Sequence, residues 1–118
     1  MPIVDISGFG NDEVEKMKNI RLAIKIAFAR IWSFNDLDLD QTSVNFAVDP
    51  SVESSLEVHT MARIYTKQFI KMTDSERDEV CSLVCGLLER FGEHKFNEAF
   101  SPGYTSMQGR PNPAYKAR

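Results

Sequence analysis

The chain is poor in cysteine and has no long apolar run. Its two cysteines, Cys81 and Cys85, lie four apart in a helical pattern. Disulfide frameworks belong to short secreted chains with more cysteines, so free thiols in a reducing compartment, the cytoplasm, are expected. On a helix face such thiols act as small hydrophobes. No apolar stretch approaches the ~20 residues needed to cross a bilayer. The amino terminus lacks a cationic region ahead of an apolar core, so no signal peptide and no membrane partner are expected. There is no basic run and the net charge is −3, which argues against nucleic acid. The two histidines, His59 and His94, have no cysteine or carboxylate cluster at ligand spacing, so no metal is expected. Gly8-Phe9-Gly10 lacks the third glycine of a phosphate-binding loop. Ser, Cys and His form no pattern suggesting nucleophilic catalysis, and no cofactor is expected.

What remains is an ordinary globular composition in 118 residues, enough for one domain over 1–118. Residues 2–7 read as a strand, with β-branched Ile3, Val4 and Ile6. Asn11 is a candidate N-cap with acids in the turn that follows. Val14, Met17, Ile20, Ile24, Phe28 and Ile31 then recur at helical steps. Residues 42–48 and 56–66 alternate as half-buried strands. In the second, Ala62 and Ile64 share one face with Leu56 and Val58, while His59, Met61, Arg63 and Tyr65 take the other. Thr73-Asp74-Ser75-Glu76 is a capping box. The stripe Val80, Leu83, Val84, Leu87, Leu88 and Phe91 makes a second helix, with Gly92 as its C′ residue. Residues 95–100 suggest a fourth strand, and 101–118 read as a loop and tail.

The order is a duplicated βαβ unit, the first over about 1–50 and the second over about 55–100. An α+β domain is expected, a four-stranded sheet with two helices on one face. Its other face, bearing His59, Met61, Arg63 and Tyr65, would be bare, and a bare, partly apolar face usually meets a partner.

Pro2 follows the initiator methionine and precedes the first strand. If Met1 is removed, the Pro2 nitrogen becomes a secondary amine that can accept a proton. An ordinary α-amino group titrates at roughly 7.7–8.0, and an apolar pocket or nearby cations lower that value. A base poised near neutral pH suits proton shuttling.

With this order in place, Met1 to Ile6, Leu56 to Ile64 and Ser75 to Gly92 resemble the tautomerase superfamily. The likeness extends to 5-carboxymethyl-2-hydroxymuconate isomerases, malonate semialdehyde decarboxylases and macrophage migration inhibitory factor. The resemblance implies a homotrimer. It also implies an isomerase acting on a small 2-oxo or 2-hydroxy-enoate acid, with Pro2 as general base and acid. Asp38, in Asp38-Leu39-Asp40-Gln41, fits the Asp-x-x-Gln of the decarboxylase-like branch, although the arginine usually following that acid is Leu39 here. Arg63, Lys67 and Arg110 are the candidate cations for the substrate carboxylate. Arg110 or Tyr104 is expected beside the substrate from the late segment. Malonate semialdehyde decarboxylase-like or hydratase-like chemistry, a non-catalytic trimeric homologue and a ferredoxin-like ligand-binding module are the alternatives.

Overall fold

The computed structural model describes residues 1–33, 39–48, 59–104 and 107–111, the side chains of Met107, Arg110 and Pro111 excepted. In order come β1 (Ile3–Phe9), α1 (Val14–Ile31), a 3-10 turn at Leu39–Gln41, β2 (Ser43–Val48) and β3 (His59–Tyr65). A 3-10 turn at Lys67–Lys71, α2 (Asp74–Gly92), β4 (Phe96–Phe100) and β5 (Met107–Pro111) complete it.

The architecture is α+β: two helices packed on a mixed sheet, with βαβ units, as expected. The sheet has five strands rather than four, in the order β2-β1-β3-β4-β5. The segment read as a loop and tail supplies the extra strand, with Met107–Pro111 antiparallel to β4. Five residues including Gly109 and Pro111 carry little β-propensity, and pairing to an open edge is what organises them. β1 pairs with β2 in parallel and with β3 antiparallel, and β3 pairs with β4 in parallel. In a ferredoxin-like split βαβ unit another strand separates the first two. Here they are hydrogen-bonded neighbours, so the sheet order is not the ferredoxin-like one.

Alternation decides which residues form the core. Val4 and Ile6 of β1, Val44 of β2, and Ala62 and Ile64 of β3 are buried. They meet Ile20, Ile24 and Phe28 of α1 and Val80, Val84 and Leu88 of α2 in one cluster. α1 and α2 also pack on each other, so both cover the same face. Cys81 and Cys85 are free and buried within this cluster. No helix among the described residues is long and apolar enough to cross a membrane.

Two helix ends differ from the sequence expectation. α1 starts at Val14, not straight after Asn11, because the Glu13 carboxylate turns back to accept from the Gly10 N–H at 2.9 Å. The capping box at Thr73 and Glu76 is present. Gly92, expected just past α2, is its last residue, and Glu93 takes the left-handed conformation with φ 59°. Gly92 is required for space instead: a Cβ there would lie 2.9 Å from the Phe9 ring.

β1 runs past its predicted end because Gly8 lets it. Gly8 has φ +108°, and a Cβ there would sit 2.5 Å from the His59 carbonyl oxygen. The register shifts between Ser7 and Phe9 at this point, a bulge that only glycine accommodates. Gly8→Ala should therefore cost about 2–3 kcal/mol, from strain plus the clash. Gly103→Ala also has positive φ but open space around it, so it should cost less. Urea midpoints at constant m would rank the two, and equal costs would refute the role of the His59 contact.

Candidate functional site

The pairing of the strands sorts the candidate residues by end and by face. β2 is parallel to β1, so α1 must run back to the amino end of β1. β3 is antiparallel to β1, and β4 runs with β3. The amino end of β1 therefore gathers Pro2, the end of α1 at Trp32, the 3-10 turn Lys67–Lys71, the start of α2 and the segment after β4.

Pro2 is buried. It continues the alternation of Val4 and Ile6 toward the helix layer, and its carbonyl accepts from the Ser43 N–H at 2.9 Å. Met1, by contrast, is 71% exposed. A groove of about 640 Å³ opens at this end between α1, the 3-10 turn and α2. Ile31, Trp32, Met72, Val80 and Leu83 make it mainly apolar, and Gln68, Lys71, Glu76 and Glu79 are its polar lining. Its volume falls in the range of small-molecule sites.

Local chemistry fixes the walls. Thr66 caps the 3-10 turn, its hydroxyl accepting from the Gln68 N–H at 3.3 Å. Arg77 ties that turn to α2: its guanidinium donates to the Phe69 carbonyl at 2.9 Å and to the Met72 carbonyl, and pairs with Asp74. The same guanidinium lies 4.6 Å from the Tyr104 ring centroid. Phe69 is fully buried, edge-on to both Trp32 and Tyr104. The Glu76 carboxyl is held below the usual carboxylate range, chiefly because it accepts from the Thr73 backbone N–H.

Of the six candidates from sequence, Pro2, Lys67 and Tyr104 come to this end. Lys67 opens the 3-10 turn and is exposed. Tyr104 is 36% exposed. Arg63 also lies toward this end, paired in register with Asp5 and Phe100. It is on the open face, with its guanidinium 5.7 Å from the Phe100 ring centroid, so the sheet separates it from the buried side of Pro2. The backbone of Arg110 pairs with Asn97 toward the other end of β4. Asp38 lies outside the described residues. Lys71, the cation that does line the groove, is not among the six candidates.

The open face carries its own polar contacts. Asn45 donates to the Asp5 carboxylate at 3.1 Å, and His59 stands 3.4 Å from the Glu98 carboxylate. Ile3 and Tyr65 are both partly exposed there.

A second cluster, missed in the sequence, occupies the carboxyl end of β1. Glu13, His94 and Thr60 are all buried. His94 Nε2 lies 2.6 Å from Glu13 Oε2, and its Nδ1 lies 2.5 Å from Thr60 Oγ1. Phe9 stacks on the imidazole at 4.4 Å. The signal for it was Thr60, a polar residue at a core-facing position of β3. The order hydroxyl, imidazole, carboxylate is that of an activated nucleophile, but Thr60 has no exposed surface and cannot meet a substrate. The cysteines are no better placed: burial pushes the Cys81 thiol up to about 11, with the Asp78 charge adding to the rise and the Ser101 hydroxyl opposing it.

No protein-family model matches this chain, and no curated protein sequence matches it. The functional reading therefore rests on Pro2 and the groove.

Proposed function

We propose that the protein is a tautomerase-superfamily isomerase acting on a small 2-oxo or 2-hydroxy-enoate acid, with Pro2 as its base once Met1 is removed. The observation that carries this reading is the burial of Pro2 at the amino end of β1, the end at which the groove opens, although Pro2 is not itself one of the groove's lining residues. Exposed Met1 leaves the preceding peptide bond accessible to removal. The freed secondary amine would sit in a partly desolvated corner, where its neutral form is favoured. It would take a proton from the carbon α to a carbonyl. The C–H pair moves into the enolate, and the proton is returned to the other end of the system. Lys71, the cation in the groove lining, supplies positive charge for the carboxylate. Asp38, on which decarboxylase- or hydratase-like chemistry would rest, lies outside the described residues.

The test is intact mass followed by ketonisation assays of phenylpyruvate and 2-hydroxymuconate. Loss of Met1 with turnover above buffer is expected. Loss of Met1 with neither substrate turned over refutes the reading.

Assembly is part of the same proposal. The open face mixes Ile3, Met61, Tyr65 and Phe100 with the charges above, which suits a partner surface better than solvent. A homotrimer with the sheets lining a common axis would cover it. Light scattering should give three times the chain mass at micromolar concentration. A monomer there would sink the trimer.

A further inference from the structure

Resting on that reading for the 2-oxo acid class, we infer that the groove selects a monocarboxylic acid with a bulky apolar tail over a dicarboxylic acid. Its charges are unbalanced: Lys71 is the only cation in the described lining, against Glu76 and Glu79. Lys71 makes no ion pair among the described residues, so its ammonium is available for one carboxylate. A second carboxylate on the same ligand finds one neutral donor, the Gln68 amide, and otherwise two unfavourable surroundings. Against Ile31, Met72 and Leu83 it loses water and gains no donor. Toward Glu76 or Glu79 it meets like charge. The Thr73 cap keeps Glu76 ionised below the usual carboxylate range, so acidification to pH 5 does not relieve that repulsion. An apolar tail, in contrast, covers Ile31 and Leu83, which are 41% and 36% exposed. Attraction at one point and apolar burial along the rest favour the monoacid together.

Trp32 is the chain's single tryptophan and it lines this groove, so intrinsic fluorescence reads occupancy without any turnover. Titration of the Met1-free protein compares 4-methyl-2-oxopentanoate with 2-oxoglutarate, neither of which is aromatic. A saturable fluorescence change is expected, with the dissociation constant for the monoacid about tenfold lower. Glu79→Gln should shrink that ratio by tightening 2-oxoglutarate alone. Lys71→Gln should weaken both ligands by a similar factor. Equal or tighter binding of 2-oxoglutarate overturns the inference, and so does a Glu79→Gln protein with an unchanged ratio. If neither ligand alters Trp32 emission while tautomerase assays succeed, the inference fails and the Pro2 reading stands. If the preference is found while Pro2-dependent turnover is absent, the selectivity of the groove holds and the isomerase reading fails.

Discussion

In protein freed of Met1, Pro2→Ala should lower kcat/KM for ketonisation about 10- to 100-fold without abolishing it. Alanine leaves a primary amine in the same place, so the base survives with altered basicity and a looser position. Pro2→Gly keeps the amine and removes the ring, so its further loss measures what rigidity contributes. A chain extended by one residue ahead of Pro2 should be inactive, since the nitrogen is then an amide and cannot take a proton. The pH profile follows from the same chemistry. Because the working form is the neutral amine, kcat/KM should rise with pH and level off above the amine pKa. Burial of Pro2 should set that pKa below the roughly 7.7–8.0 of an ordinary chain terminus. An extended chain as active as the Met1-free one, or Pro2→Ala with an unchanged profile, would show that Pro2 is not the base.

Hydrophobic period made most of this architecture readable. The stripes that became α1 and α2, and the alternation in β2 and β3, report burial on one face directly, so burial at Ala62 and Ile64 followed from their parity. Elements held by partners distant in sequence were not readable. β5 has no apolar alternation to announce it, and it forms because β4 offers an edge. The role of Gly92 was misjudged for the same reason: a helix-ending glycine is a local signal, whereas contact with Phe9 is not. Within the candidate site, Pro2 was visible from its place at the chain start. Lys71 gained its position from Arg77, whose bonds to Phe69 and Met72 fix the 3-10 turn. Nothing in the local sequence shows that a guanidinium in α2 reaches back to those carbonyls.

Removing the imidazole of His94 should be among the most damaging single changes to stability. The network closes without an orphan when Thr60 donates to Nδ1 and the Nε2–H donates to Glu13. The other Glu13 oxygen accepts from Gly10, with Lys16 3.3 Å from the first. The cluster joins the corner between β1 and α1, the start of β3 and the link from α2 to β4, three places far apart in sequence. His94→Ala leaves a buried carboxylate short of a donor, a hydroxyl without its acceptor, and a gap beside Phe9. The lost hydrogen bonds at Glu13 and Thr60 and the cavity beside Phe9 together cost about 3–5 kcal/mol, which corresponds to a fall in Tm of roughly 10–20 °C for a chain of this size. Thr60→Val keeps shape and removes one hydrogen bond, so about 1–2 kcal/mol is expected. Glu13→Ala and His94→Ala should not add. Each single change carries the cost of the partner it strands, so the double variant should be more stable than the sum by about 1–3 kcal/mol. Urea unfolding of the four proteins in that cycle decides it. Strict additivity would mean that Glu13 and His94 act independently despite the 2.6 Å between them, and that the cluster does not hold this end of the sheet together.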